Sequence, residues 1–212
     1  MSELENVLGD LVAEHVRVGS PVGDHLRPGL ADDEVVRRLQ SIGLRPAPEA
    51  VELFAWHDGI DQQSWRAASP GARGLELFPY AFFSDLGYAV DSFRRMRDLT
   101  EETLGAGAAV AGDELWRASW LPIFEADPGW YGLDCSSEAS ASAVWIMYWD
   151  ATDVDPTRRV FASLATMIGA LVARFRAGAY TWSAEHQRLL ADEAVLATQF
   201  RQTRHAVEDR PT

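Results

Sequence analysis

Four short stretches of this chain combine residue types that chemistry uses. In LFAWHDGIDQQSW, residues 53–65, His57 and Asp58 stand side by side between two tryptophans, a pairing with which some metal-dependent phosphohydrolases hold an ion. Such a centre needs further His and Asp ligands at helical spacing, and His15, His25, His186 and His205 fall in no such arrangement. Cys135, in GLDCSS, has no histidine near it in sequence to draw off its proton, so a structural thiol is expected. GAGAAVAG at 105–112 has the glycines of a phosphate loop but lacks the third at the right spacing, and it follows the helical EETL where a strand is required. It reads as a connector. DATDVDP at 150–156 gathers Asp150, Asp153 and Asp155 without the glycine and terminal glutamate of a helix-loop-helix calcium site, so aspartates bonding their own backbone in a turn are expected. No catalytic residue, metal or cofactor is assigned, and a non-enzymatic role is expected.

Composition narrows the classes further. At 212 residues, with 47% hydrophobic and 24% charged residues, the chain suits one packed domain, and neither disorder nor a fibrous repeat is indicated. No apolar run approaches the roughly 20 residues that span a bilayer, and MSELENVLGD is acidic where a secretory signal is basic. A cytoplasmic protein without membrane partners is expected. The single cysteine excludes an internal disulfide. All 19 basic residues are arginine, so a P-loop lysine and Schiff-base chemistry are excluded. A net charge of -13 argues against nucleic acid as a partner, because phosphate binding needs a basic face. The acidity is concentrated: from Asp98 to Thr157 twelve acids meet Arg117 alone, a net -11, against -2 for the rest.

The elements that must position these residues are signalled by capping and periodicity. Ser2 and Glu5 form a capping box, and Leu4, Val7, Leu8, Leu11, Val12 and Val16 recur at helical spacing up to Gly19. After a loop over 19–30, DDEVVRRLQSIG predicts a helix with Val35, Val36, Leu39 and Ile42 inward and Gly43 as its stop. The next helix has Pro48 in its first turn, Val51, Phe54 and Ala55 on one face, and Gly59 as the expected stop after His57 and Asp58. Residues 61–74 read as a loop and LELFP, 75–79, as a short strand. SDLGYAVDSFRRMR predicts a helix capped by Ser84, with Leu86, Ala89, Val90, Phe93 and Met96 as its stripe.

In the acidic segment the period changes. WLPIFE, WYGLD and SAVWIMYWD predict an antiparallel meander with a turn at Asp127–Gly129, and the third strand, apolar on both faces, is expected to be central. FASLATMIGALVARFRAG is a helix capped by Ser163 and stopped at Gly178, and a further helix is expected from Ser183 to about His205. The fold class is α+β: one domain with a twisted, mainly antiparallel sheet of four or more strands, helices packed around it and extra terminal helices.

The order of these pieces resembles the SUKH superfamily, the Smi/Knr-type cell-wall-regulator and bacterial toxin-immunity family. The resemblance is carried by LFAWHDGI at a helix end, LELFPYAFFSDLGYAVDSFRRM, WRASWLPIF, WYGLD, VWIMYWD, and FASLATMIGALVARF with AGAYTW after it. It covers about 31–182, leaving 1–30 as an N-terminal helix and loop and 183–212 as a helical extension of the single domain 1–212. It implies a protein-binding fold with no catalytic residues to carry over, in which Gly59, Trp120, Leu121, Pro122, Asp134, Phe161 and Ser163 are fold-forming positions. His57 and Asp58 depart from the family's usual residues at that turn.

Two roles follow as expectations. One is an immunity protein that neutralises a basic, nuclease-like toxin through an acidic surface, with Asp113, Glu114, Glu125, Asp127, Asp150, Asp153 and Asp155 as candidate contacts and Trp130 as a partly buried aromatic anchor. The other is a regulatory or scaffold protein that binds a housekeeping partner through its terminal helices. Neither the partner nor the oligomeric state is written in one chain.

Overall fold

The computed structural model describes residues 2–105, 117–126, 129–136, 143–148 and 158–196, with the backbone alone for 104, 145–148 and 158–160. Helix α1, Glu3–Val18, begins with the expected capping box: the Ser2 hydroxyl accepts from Glu5 N–H at 3.1 Å while the Glu5 carboxylate accepts from Ser2 N–H at 2.8 Å. Its buried face runs Leu4, Leu8, Leu11 and then His15, leaving Val16 69% exposed. Steps of four, three and four carry the row from Leu4 to His15, one position short of the expected valine. The imidazole is tolerated inside because both nitrogens are used. Nε2–H donates to the Leu77 carbonyl at 2.7 Å, so Nδ1 accepts from the Ser20 hydroxyl at 3.0 Å.

Between α1 and the sheet the chain is more regular than the sequence suggested. A 3-10 turn, Pro21–His25, leads into β1, Leu26–Pro28, in the stretch read as loop. Helix α2 is Asp32–Ser41, with Val35 and Leu39 buried, and α3 is Pro48–Trp56. The latter stops two residues earlier than expected, because His57–Ile60 is β2 and pairs antiparallel with β1. Residues 62–68 form α4, Gln62–Ala68, rather than a loop, since the Asp61 carboxylate accepts from the N–H groups of Gln63 and Ser64. LELFP is not a strand: Leu75, Leu77 and Phe78 are buried without ladder partners beyond a single bridge from Phe78 to Ala81, and β3 is Ala81–Phe83. The cap of α5, Leu86–Leu104, is Asp85 and not Ser84.

Strands β4 (Trp120–Ala126), β5 (Gly129–Asp134), β6 (Val144–Tyr148) and β7 (Arg158–Phe161) follow, and every neighbouring pair in the order β3-β4-β5-β6-β7 is antiparallel. The chain is thus a mixed helix and strand structure with antiparallel sheets. The middle position belongs to β5, where the sequence pointed to β6. Pro122 sits inside β4, where its missing N–H would break a ladder, and the register shifts between Pro122 and Phe124 to absorb it.

After α6, Leu164–Arg176, the expected helix from Ser183 is replaced by a hairpin of β8, Tyr180–Ser183, and β9, Arg188–Ala191. Tyr180 and Leu189 are buried, and the Tyr180 ring meets Phe175 of α6 edge-on at 4.9 Å, so packing on α6 wins over helical periodicity. Helix resumes at 193–196, and the rest of the expected helix lies outside the described residues. A buried cluster from Leu4 to Leu189 joins the terminal pieces to the sheet.

Two contacts lock α6. At its start Glu49 of α3, only 4% exposed, accepts from Leu164 N–H at 3.2 Å and Ala165 N–H at 3.0 Å, and Ser163 accepts from Thr166 N–H at 3.0 Å. A carboxylate there satisfies donors that no helix can satisfy internally and meets the positive end of the dipole. Along its length α6 lies against α1, Val7 facing Gly169 and Glu14 facing Arg176, so the two helices run in the same direction. Burial works to raise the pKa of Glu14, but hydrogen bonds from Arg17 and Arg176 prevail and hold it below the usual carboxylate range. Arg17 also donates to the Phe175 carbonyl at 2.7 Å, closing the C-terminal end of α6.

Replacing Glu49 by Ala strands two buried donors, and a loss on the order of 2–4 kcal/mol is expected, with Glu49→Gln in between, read from urea unfolding. His15 gives a pH test. Burial drives its pKa from 6.5 down to about 4, against the upward pull of the Leu77 bond, so between these values the unfolded chain binds the proton and the folded one does not. Stability is then full above about pH 6.5 and falls toward pH 4. Wild type should lose on the order of 2–3 kcal/mol more than His15→Gln between pH 7 and pH 4.5, the carboxylate contribution being common to both.

Candidate functional site

His57 and Asp58 belong to β2, and the register of β2 on β1 sets Pro28 opposite His57. The His57 Nδ1–H donates to the Arg27 carbonyl at 2.6 Å, which fixes Nε2 as the acceptor nitrogen of the neutral ring, and the ring stands edge-on to Trp56 at 4.4 Å. The Asp58 carboxylate accepts from Leu86 N–H at 2.8 Å, and that of Asp85 accepts from Tyr88 N–H at 2.8 Å. Two acids therefore cap one helix, α5. The guanidinium of Arg27 approaches Asp85 at 3.0 Å and Asp61 at 4.0 Å, itself the cap of α4. What the geometry does chemically is hold two helix starts against a two-stranded ribbon. Among the described residues no group of three or more His, Cys, Asp or Glu is placed to hold a metal ion.

Gly59 is bound into the same joint. Its φ is +79°, and a Cβ there would lie 2.5 Å from the Asp85 nitrogen and 2.8 Å from the Ser84 carbonyl carbon. The glycine expected to stop a helix instead lets β2 touch the backbone at the start of α5.

Of the candidate contact residues, Glu125 and Trp130 are described; Asp113, Glu114, Asp127, Asp150, Asp153 and Asp155 lie outside the described residues. Glu125 is half-buried and lies near Tyr88 of α5, whose pKa is raised first by burial and then by the charge of Glu125. Trp130 is 9% exposed and belongs to the core, so a partner has little of its ring to reach, contrary to the expected anchor. The remaining positions build the fold. Trp120 and Leu121 are fully buried, and Pro122 lies opposite Gly132 beside the β4 irregularity. Asp134 accepts from Ser136 N–H at 2.9 Å, half-buried Phe161 packs on the core, and Ser163 caps α6. Cys135 is 1% exposed, and burial, then the charge of Asp134, pushes its thiol up to about 12, as suits a structural cysteine.

Sequence reasoning missed Glu49, Asp61 and Asp85 as caps and Arg27 as the cation between two of them. Asp85 carries a readable signal, an acid three residues ahead of the Tyr88 N–H, whereas Glu49 acts across 115 residues and leaves none.

No protein-family model matches the chain, and no curated protein matches it. Among the described residues no helix is long and apolar enough to cross a membrane.

Gly59→Ala should destabilise the protein by on the order of 2 kcal/mol or more, since it adds left-handed strain to an overpacked backbone contact. The shift should be visible in thermal unfolding, and a neutral outcome would mean that the joint between β2 and α5 is loose.

Proposed function

We propose that the chain is a non-catalytic protein-binding module of the SUKH type, acting in the cytoplasm as a bacterial immunity protein that blocks a basic, nuclease-like toxin domain with an acidic surface. The observation that carries this reading is the net -11 between Asp98 and Thr157 in a chain whose other residues nearly balance. A surface built to hold phosphates is cationic and is steered to carboxylates.

Ala126 at the end of β4 pairs with Gly129 at the start of β5, and Gly129 pairs with Tyr148 at the end of β6. The ends of β4 and β6 and the start of β5 therefore lie together at one end of the sheet. Helices combined with antiparallel sheets are the arrangement that the SUKH-type reading calls for. The residues with the most chemical character, His57, Asp58 and Cys135, have structural roles here, which suits a binding protein.

The regulatory or scaffold reading set its contact surface in the terminal helices. Part of the C-terminal extension, β9, has Leu189 in the core, which supports the immunity reading over this one.

The test is protection. Expression of the chain should rescue growth from the toxin domain of a large secreted protein encoded beside its gene. With that domain as the probe, changing Asp127, Asp150, Asp153 and Asp155 to Asn should slow association by about tenfold at low salt and flatten its salt dependence, with little change in dissociation. An association rate indifferent to salt and to all four changes would make the acidic segment a solvated surface only.

A further inference from the structure

Among the described residues, two that are not glycine adopt positive φ, Tyr80 at 67° and Gln187 at 51°, and two large apolar side chains lie open, Val16 at 69% and Tyr80 at 59%. Tyr80 is in both sets. Gln187 is a polar residue in the turn of the β8–β9 hairpin, where such a backbone is ordinary. A bulky aromatic in the left-handed region is a real outlier, and one that points into solvent gains no packing in return.

The turn that holds it is firmly built. Pro79 and Tyr80 are its central residues, closed by Ala81 N–H donating to the Phe78 carbonyl at 2.9 Å and by Leu77 N–H donating to Ala81 at 3.0 Å. Proline first and positive φ second is the pattern of a type II turn, whose second position belongs to Gly or Asn. Below it Phe78 is buried and meets Phe124 at 5.3 Å and Tyr131 at 5.5 Å, both edge-on. The turn thus fixes the backbone of the tyrosine and leaves its ring largely exposed. The place is also significant. Ala81 is paired with Ala126, so the turn lies at the end of the sheet where β4 ends and β6 ends beside it.

We propose that Tyr80 anchors a protein-binding surface at this end of the sheet, its ring entering an apolar slot on a basic protein partner. Ring faces match apolar walls and the hydroxyl matches an acceptor at the floor of the slot, the combination that makes tyrosine frequent among residues that dominate binding. The basic character of the partner rests on the function proposed above; the anchoring role of Tyr80 does not.

Tyr80→Gly separates fold from binding, because glycine relieves the positive φ while removing the ring. The variant should unfold at a higher urea concentration than wild type and bind the toxin domain at least tenfold more weakly, mainly through faster dissociation. Binding within twofold of wild type would overturn the proposal. Should the growth assay yield no toxin, the immunity reading fails, and a photo-crosslinking residue at position 80, with position 16 as control, decides the anchor in cells that carry the gene. The expected result is a discrete adduct at 80 and not at 16, competed by wild type but not by Tyr80→Gly, whose partner, once identified and purified, prefers wild type at least tenfold. The same adducts at both positions, equal competition, or an adduct of twice the chain's mass would each overturn it, the last by making the turn a contact between copies of this chain.

Discussion

The carboxylate of Glu49 lies in the interior against the first N–H groups of α6, and much of the surrounding architecture follows from keeping it there. A charge so placed is stable only while the donors face it, since withdrawing either partner leaves a buried group without its bonds. Glu49 is fixed by α3, and α3 continues directly into β2 and so into the joint with α4 and α5. α6 in turn carries α1 along one side and the β8–β9 hairpin at its end. One contact between residues 115 apart in sequence thus ties the N-terminal helices to the element that follows the sheet.

The same device recurs. Asp58 and Asp85 at α5, Asp61 at α4 and Asp192 ahead of 193–196 each offer a carboxylate to backbone N–H groups at a helix start. For a protein with a net charge of -13 this is informative, because these acids serve the fold and contribute less to an interaction field than their number suggests. Glu125 and Asp134, inside the acidic segment, are likewise engaged, with Tyr88 and with Ser136 N–H. The acids available to a partner are fewer than the composition implies, and their grouping along the chain matters more than their sum.

Gly59 and Tyr80 show opposite solutions to one backbone problem. Both adopt positive φ, but Gly59 is pressed against Ser84 and Asp85, where any side chain would collide, and Tyr80 is largely exposed, where a side chain meets strain of the backbone alone. At the first the fold dictates the residue type; at the second it does not, and the cost of a tyrosine there is balanced by something outside the fold. The parallel packing of α1 on α6 has a related logic, since arginines at both C-terminal ends meet the carboxylates and the carbonyl exposed there.

Local signals in the sequence located the elements whose causes are local. The Ser2–Glu5 capping box, Pro48 in a first turn, Ser163 ahead of an apolar stripe and the aromatic strands from Trp120 to Tyr148 all appear where periodicity and capping chemistry put them. Tertiary structure decided what depends on distant partners. It made HDGI a strand and not the end of a helix, because β1 was there to pair with it, and it turned 180–191 into a hairpin on Phe175. It drew His15 inward in place of Val16 because Ser20 and the Leu77 carbonyl could satisfy both ring nitrogens. It buried Trp130 and left Tyr80 exposed, although both are aromatic residues beside turns and look alike in sequence. Burial is set by what the rest of the chain stacks on a position, and a hydrogen bond by which donor arrives there; neither is written in the few residues on either side.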